Sequence, residues 1–200
     1  MPLTIIRPAE APLISLEEAK TYLRVDTDVE DALITRLIAA STEALEAITG
    51  CAFLRKTYQY VTDLLLFETS SYPRFKGFPA VQRLPLPRPP LHQILSVTVK
   101  TKTQEQEIPA EDYSVLSSHG PAQLTLTIPN PLEMWDRSTL AVSFVAGWGE
   151  TAREVPEPLR LATLMLVADA YEKRDGYAAS AGLPSGVRNL IQPYRLVNIR

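Results

Sequence analysis

The strongest constraint on the fold is one long amphipathic segment near the start of the chain. Its apolar residues recur at spacings of three and four, the period of one helix face: Val29, Leu33, Ile34, Leu37, Ile38, Ala44, Leu45 and Ile48. Glu43 and Glu46 fall on the opposite side, where we expect solvent. Thr27 and Asp28 are typical of a helix start, and Gly50 is a natural C-terminal stop. Such a helix is about 33 Å long, and its apolar stripe needs a partner.

A second helix, predicted from Pro158 to Arg174, is the expected partner of the first. Its residues are apolar on almost every side, a pattern typical of a helix that is buried against several neighbours. Proline is tolerated in the first turn of a helix, and a basic residue suits the C-terminal end. A shorter helix is predicted from the capping box Ser15–Glu18 to about Leu23, since the serine side chain can accept a hydrogen bond from the backbone three residues on.

Between the two long helices the sequence pattern changes to that of β-strands. β-branched and aromatic residues dominate four runs, and Pro and Gly punctuate them. The runs are Thr57–Thr62, Ile94–Lys100, Gln123–Ile128 and Leu140–Val145. The polar segment Thr101–Gln106 is predicted to be the exposed tip of a hairpin. The prolines between Pro85 and Pro90 favour a stiff, extended connector into the second run, with a recognition segment for an aromatic groove as the alternative.

The C-terminal region is predicted to be a flexible linker followed by a docking segment. Small residues fill Ala178–Gly182, a composition typical of a linker. The following segment, Val187–Arg200, is too apolar to be left in water. It docks either on its own domain or on another chain, and we favour the second because a small-residue hinge precedes it.

These elements together predict an α+β fold. We expect a helical bundle core, made of two long helices plus short ones, with an inserted antiparallel β region and an extended C-terminal tail. Residues 1–56 form the N-terminal helical part of the core and 57–148 the inserted β region. Residues 149–176 form the C-terminal core helix, and 177–200 the flexible linker and docking tail.

Charge and cysteine content exclude several classes of protein. The net charge of −3 argues against a general nucleic-acid binder. The first 50 residues are acidic, whereas the end of the chain carries Arg188, Arg195 and Arg200, which suggests contact with a differently charged neighbour. Cys51 is the only cysteine, so a cytoplasmic compartment is expected. No signal peptide is predicted, and Leu159–Tyr171 is shorter than the roughly 20 residues of a spanning helix, so we expect a soluble protein without membrane contact.

The residue types that carry catalysis or bind metals do not form recognisable motifs. The two histidines, His92 and His119, lack the spacing of a metal site. Cys51 follows a helix C-terminus, where the dipole opposes thiolate formation, so a structural thiol is expected. The acids at Asp26–Asp31 lack the glycine and terminal glutamate of a calcium loop. No nucleophile elbow, P-loop or glycine-rich dinucleotide motif occurs. We therefore expect no enzyme, no cofactor and no metal.

A specific order of short motifs runs along nearly the whole chain. The motifs are Ile14–Lys20, Leu23–Asp26, Asp31–Ile34, Leu37–Ala40, Thr49–Ala52, Leu86–Leu91, Ser96–Val97, Phe144–Gly149, Val155–Arg160, Tyr171–Arg174 and Leu183–Arg195. Their joint order resembles the head–tail connector (adaptor, head-completion) proteins of tailed bacteriophages and gene transfer agents. Phe67–Arg83 matches least and looks like an insertion of unassigned role.

The resemblance implies a structural role in a virion. Members of this family form a ring, usually of twelve copies, beneath the portal at the capsid vertex where DNA leaves. The ring extends the DNA channel and docks the next tail-side neck or stopper protein. The resemblance therefore implies localisation in the virion neck, assembly in the bacterial host cytoplasm and a part in viral genome ejection. The duplex would pass through the channel without sequence-specific binding, since a basic lining would grip it.

The resemblance also implies that the C-terminal segment reaches the portal. In this sequence the implied portal-contact residues are Val187, Arg188, Tyr194, Arg195, Leu196, Val197, Ile199 and Arg200. The alternatives are another neck or tail-completion protein and, from a different class, a small hydrolase. The number of copies and the channel-lining residues are left open by the sequence.

Overall fold

The computed structural model describes residues 3–63, 80–100, 104–116, 120–128, 139–173 and 182–196. The chain divides into two compact units, each built from separate stretches of sequence. The first unit contains Met1–Pro8 and Lys56–Gly147 and is called the β unit below. The second contains Ala9–Arg55 and Trp148–Arg200 and is called the helical unit.

The described strands of the β unit form two antiparallel sheets. In chain order its strands are β1 (Leu3–Arg7), β2 (Lys56–Asp63), β3 (Ala80–Pro85), β4 (Leu91–Lys100), β5 (Glu105–Glu107), β6 (Tyr113–Leu116), β7 (Gln123–Ile128) and β8 (Thr139–Ala146). A five-stranded sheet has the order β1-β2-β8-β4-β5, and a three-stranded sheet has the order β3-β7-β6. All the strand pairs are antiparallel.

The central strand of the larger sheet, β8, shows why this sequence forms a half-buried sheet. Its alternate residues are fully buried, namely Leu140, Val142, Phe144 and Ala146, and the residues between them are partly exposed. This period of two matches the geometry of a strand with one face on a core. Across the β2–β8 pair, the ring of Tyr58 stacks on that of Phe144 with centroids 5.7 Å apart. The core of the β unit therefore lies on one face of this sheet.

Within its described residues, the helical unit contains four α-helices. They are α1 (Leu16–Leu23), α2 (Asp31–Thr49), α3 (Glu157–Glu172) and α4 (Ser185–Ile191). Ser15 caps α1 by accepting a hydrogen bond from the Glu18 backbone at 3.1 Å, as the capping box predicts. Helix α2 ends at Gly50, whose φ of 78° is left-handed and therefore suits glycine.

The helices surround one apolar core. Helix α2 contributes Ile34, Ile38 and Leu45, and α3 contributes Leu159, Ala162, Leu166 and Val167, all buried. On the rim of this core, Arg160 of α3 forms an ion pair with Glu18 of α1 at 2.7 Å, and with Glu157 at 2.7 Å. Among the described residues, no helix has the length and apolarity that crossing a membrane requires.

The predicted fold class is confirmed at the level of an α+β chain with antiparallel sheets. The four predicted strand runs lie within β2, β4, β7 and β8, although β4 begins earlier than predicted, at Leu91. The hairpin tip was placed wrongly at one end, because Gln106 and Glu105 pair with Val99 and Lys100 as strand β5. Residues 101–103 lie outside the described part. The arrangement of the helices as a bundle stays a prediction.

Three further expectations are corrected by the structure. Val29 is 90% exposed, because α2 begins only at Asp31 and the apolar stripe therefore excludes it. Glu46, expected in solvent, is buried. The extended C-terminal tail is wrong for residues 182–196, which contain helix α4 and a short 3₁₀ helix, Gln192–Tyr194. Of the insertion-like segment Phe67–Arg83, only Ala80–Arg83 is described, and it lies in β3.

Candidate interaction surface

The C-terminal segment, Leu183–Leu196, is anchored in the core of the helical unit. Val187 and Ile191, one helical turn apart on α4, are both 0% exposed. Leu183, Leu190, Tyr194 and Leu196 pack against the same core. Helix α4 approaches α3 closely at Gly186, where an added Cβ would lie 2.6 Å from the Met165 Cε. The segment is therefore part of the unit's own core.

Beyond α4, a chain of aromatic and backbone contacts fixes the segment. The ring of Trp148 makes edge contacts with Phe53 and with Tyr194, at centroid distances of 6.3 and 6.1 Å. The Leu196 backbone N–H donates to the Thr49 carbonyl at 2.9 Å. These contacts hold the segment against the C-terminal end of α2, which would otherwise leave its last carbonyls unsatisfied.

The thiol of Cys51 belongs to the same contact. It is buried, and its Sγ donates to the Tyr194 carbonyl at 3.3 Å. The Cys51 backbone N–H donates to the Thr49 Oγ1 at 3.3 Å. The thiol therefore acts as a small core group in contact with backbone carbonyls, as a structural cysteine does.

The predicted portal-contact residues divide into three groups. Val187 is fully buried, and Tyr194 and Leu196 are half-buried within the helical unit. Arg188 and Arg195 are exposed. Val197, Ile199 and Arg200 lie outside the described residues. The expectation that the segment docks on another chain in preference to its own domain is wrong for residues 187–196, because their apolar side chains pack in their own core. Whether the exposed groups contact a portal stays a prediction.

The exposed side of this segment is polar and basic. It consists of Arg188, Asn189, Gln192, Pro193 and Arg195, which we call the C-terminal face. The Arg188 guanidinium donates to the Leu183 carbonyl at 3.3 Å, which holds its stem along the start of α4. The face contains two positive charges and no acid, so it suits a partner that presents carboxylates.

The acidic residues ahead of α2 are used within the unit. The Lys20 ammonium contacts Asp28 at 2.6 Å and Asp31 at 2.8 Å. The hydrogen bond from Lys20 lowers the pKa of Asp28, and the bonds to Asp28 and Asp31 raise the pKa of Lys20. Glu30 accepts a hydrogen bond from the Tyr171 hydroxyl of α3. These acids therefore tie α1, α2 and α3 together.

The remaining candidate groups are dispersed. His92 is exposed on β4, and His119 lies outside the described residues. Within the described ranges, His, Cys, Asp and Glu side chains form no group of three or more that could hold a metal ion. What the structure brings together on the helical unit is thus an anchored C-terminal segment with one polar, basic face.

One buried charged residue was missed by the sequence analysis. Glu46 of α2 is 5% exposed, and its Oε1 accepts from the Phe53 backbone N–H at 2.8 Å. It thereby fixes the turn that follows the helix. Helix periodicity gave little signal, because a residue eight positions from Ile38 lies about 80° around the helix from it.

Comparisons with known proteins agree with this architecture. Three solved structures match the fold over 100% of this chain and 98% of the other. They are the neck of an empty gene transfer agent (GTA) particle computed with C6 symmetry (TM-score 0.72, 21% identity), the virion of a native GTA particle (0.71, 21%) and the neck of a native GTA particle computed with C12 symmetry (0.72, 19%). At these identities the likeness concerns the fold. No curated protein matches the chain.

The family assignment comes from the sequence itself. The family described as Head completion protein matches residues 12–197, which include all four helices and seven of the eight strands. The match therefore extends through both units, including the anchored C-terminal segment. The chain belongs to the head completion protein family.

Proposed function

We propose that this protein is a structural subunit of the neck of a tailed-phage-like particle, where it forms a ring beneath the portal, extends the DNA channel and docks the tail. The observation that carries the proposal is the family match over residues 12–197. The fold likeness to chains of GTA neck structures, over the full length of this chain, supports it. The role is structural and not catalytic, and its site is the virion.

The proposed assembly is a ring of twelve copies. One neck structure with this fold was computed with C12 symmetry, which supports that number. A ring subunit contacts its neighbours through two different faces, since head-to-tail contacts close only when each copy offers both. The two units of this chain, one sheet-rich and one helical, offer chemically different surfaces for such contacts.

The proposed portal contact is the C-terminal face together with Val197, Ile199 and Arg200. Arg188 and Arg195 are exposed on an anchored segment, so they can pair with acids of a portal without a large ordering cost. Tyr194 and Leu196 anchor the segment by packing against the core of the helical unit. The buried side chain of Val187 supports the contact through folding alone.

DNA is proposed to pass through the ring without being bound by it. The net charge is −3, and a protein that binds duplex through phosphates needs a basic excess. A neutral or acidic bore would let the duplex move, whereas a basic bore would add strong binding that depends on salt. A ring of this chain would therefore guide the genome during ejection and leave it unbound.

The test is the position of the protein in a particle and its dependence on the C-terminal face. We expect Arg188→Glu with Arg195→Glu to lose binding to the portal, while the matched control Arg36→Glu, also exposed on the helical unit, keeps it. A cryo-EM map of the neck should place the ring directly beneath the portal. Density on the tail side would favour another neck or tail-completion protein, and a strictly monomeric chain that never joins the portal would refute the proposal.

A further inference from the structure

The exposed large apolar side chains of the β unit are concentrated on strands at sheet edges. Among the described residues they are Ile5 (50% exposed) and Ile6 (54%) on β1, Leu95 (47%) on β4, and Val115 (38%) and Leu116 (67%) on β6. Apolar residues on an edge strand favour pairing with a further strand, because the edge also presents unpaired backbone groups. The distribution therefore marks the edges as contact sites.

Strand β1 forms one end of the five-stranded sheet. It pairs with β2 on one side, and within the described part of the chain no strand pairs with its other side. Ile5 pairs with Tyr58, whereas Ile6 lies at a register shift of the β1–β2 pair, and both side chains are about half exposed. A strand buried by its own chain would hide at least one of them.

The opposite end of the same sheet is open over half its length. Strand β5 pairs only with Thr98–Lys100 of β4, and the Ile108 N–H donates to the Val97 carbonyl at 2.8 Å. Within residues 91–96 of β4, four residues pair with β8, and the register shifts at His92 and Leu95. On the other side, residues 91–96 pair with no described strand. We call residues 91–96 the open edge. Leu95 is exposed within it.

The two edges are complementary in direction and length. The pairs β1–β2, β2–β8 and β8–β4 are all antiparallel, so β1 and β4 run in opposite directions. A second copy that continues the sheet in the same sense therefore brings its β1 antiparallel to the open edge. Strand β1 has 5 residues, Leu3–Arg7, which fits the span of the open edge.

The distribution of charged residues favours the open edge, residues 91–96, as the pairing site. Strand β1 and residues 91–96 contain one charged side chain at neutral pH, that of Arg7 at the end of β1, besides the titratable His92. By contrast, β5 consists of Glu105, Gln106 and Glu107, all exposed. Short, charged strands discourage further pairing at an edge. The chain therefore blocks the part of the edge that β5 occupies and leaves the neutral part accessible.

We infer that β1 of one copy pairs antiparallel with residues 91–96 of β4 in the next copy, so that the sheets join head to tail around a ring. This inference rests on the proposed ring. A head-to-tail contact of two different edges is the kind that closes a ring. The contact is short, and a stable interface buries about 800 Å² per partner, so the pairing forms within the assembled ring together with other contacts.

Engineered disulfides test the pairing directly. The proposed register sets Ile6 of one copy opposite His92 of the next, and Thr4 opposite Ile94. The variants Ile6→Cys with His92→Cys, and Thr4→Cys with Ile94→Cys, are oxidised in rings isolated on the portal. We expect a ladder of disulfide-linked oligomers on a non-reducing gel. The matched control, Ile6→Cys with Leu116→Cys, joins an equally exposed residue on the edge of the other sheet and should stay monomeric.

Each outcome separates the pairing from the proposed function. If the unmodified chain forms rings on the portal but neither pair gives a ladder, the pairing is refuted and the neck role stands. A ladder from the control alone, or a link from Ile6→Cys to a different particle protein, also refutes it. If the chain neither forms rings nor joins a neck, the proposed function fails and the inference fails with it.

A charge placed on the edge gives a quantitative test. We expect Ile6→Lys to raise the concentration needed for half-maximal ring assembly by at least about 30-fold, the effect of losing one strong contact at each interface. The control Leu116→Lys should leave assembly unchanged. Circular dichroism should show both variants folded like the parent, since both side chains are exposed. Assembly of Ile6→Lys at the parent's concentration would overturn the pairing.

Discussion

The two units differ in where their sequences are tightly constrained. In the helical unit the connecting segments are packed: an added Cβ at Gly149 would lie 2.3 Å from the Glu154 Cβ, and one at Gly50 would lie 3.0 Å from the Leu196 Cδ1. In the β unit, a Cβ at Gly120 would meet nothing within 4 Å. There most of the buried residues lie in the sheets, and the exposed large apolar residues lie on β1, β4 and β6. A side chain is therefore less easily accommodated at these glycines of the helical unit than at Gly120 of the β unit.

The largest expected effect comes from emptying the core beneath the C-terminal segment. We expect Ile191→Ala to lower the free energy of unfolding by about 2–5 kcal/mol, because the side chain is fully buried and its removal leaves a cavity. Urea denaturation measures it. The control in the β unit, Leu116→Ala, should change stability by no more than about 0.5 kcal/mol, since that side chain is mostly exposed. Equal losses of unfolding free energy in Ile191→Ala and Leu116→Ala would show that the two units do not differ in this way.

Deleting the C-terminal segment tests whether it is part of the core of the helical unit. If the segment is part of the core, a chain that lacks residues 187–200 should be unfolded or strongly destabilised. A truncated chain that unfolds at the same urea concentration as the parent would instead show a dispensable tail. The burial of Val187 and Ile191 predicts the first outcome.

A matched pair of glycine substitutions tests the connections directly. Gly149→Ala should destabilise the protein by about 1–3 kcal/mol, because the new methyl overlaps the Glu154 side chain at 2.3–2.5 Å. Gly120→Ala in the β unit should be neutral within about 0.5 kcal/mol, since the methyl enters open space. Thermal unfolding of both variants compares them. If Gly149→Ala is as neutral as Gly120→Ala, the turn of the helical unit is looser than its geometry indicates.

The contrasts between the two units, in core burial and in packing around glycine, depend on features that the sequence predicted only in part. The stripe at Ile34, Ile38 and Leu45 predicted α2 and its stop at Gly50, because helix periodicity and a left-handed cap are local properties. The alternation in β8 predicted its strand for the same reason. Strand β1 was missed, since a strand that is exposed along one edge carries no alternating pattern.

The candidate surface was less predictable because it depends on contacts between distant residues. Nothing near Val187 in the sequence indicates that its partners lie on α3, and a preceding run of small residues suggested a hinge instead. Burial of Glu46 depends on the turn at Phe53, which lies beyond the helix that carries the glutamate. The portal-contact residues stay a prediction. The position of a local element can be predicted from periodicity, but what covers it is decided by the whole fold.

Loss of a buried carboxylate should have an effect of similar size within the helical unit. Glu46→Leu should cost about 1–3 kcal/mol, because the buried Phe53 N–H loses its acceptor. Glu43→Leu, on the exposed side of the same helix, is the matched control and should stay close to the parent. Chemical denaturation compares the two variants. A stable Glu46→Leu protein would show that the turn after α2 does not depend on this hydrogen bond.

The smallest expected effect is a pH dependence of stability that arises in the turn containing Gly149 and Glu154. Glu154 accepts hydrogen bonds from the Thr151 backbone N–H and from its hydroxyl, both at 2.9 Å. The backbone bond, and after it the hydroxyl bond, lower the pKa of the carboxyl below its ordinary 4.5. Because the pKa is lower in the folded protein, the stabilisation is fully present above 4.5 and is lost as the pH falls through the folded value.

Carbon-detected NMR titration of the Glu154 carboxyl tests this sign. Thr151→Val removes the hydroxyl donor and keeps the backbone donor, so the pKa should rise part of the way toward 4.5. Thr151→Ser keeps both donors and should titrate as the parent does. In Glu154→Gln, the deficit in unfolding free energy should shrink as the pH falls below 4.5, since the parent loses the same interaction there. If the difference in unfolding free energy between Glu154→Gln and the parent instead grows on acidification, the carboxylate destabilises the turn. Another interaction would then have to stabilise the tight packing at Gly149.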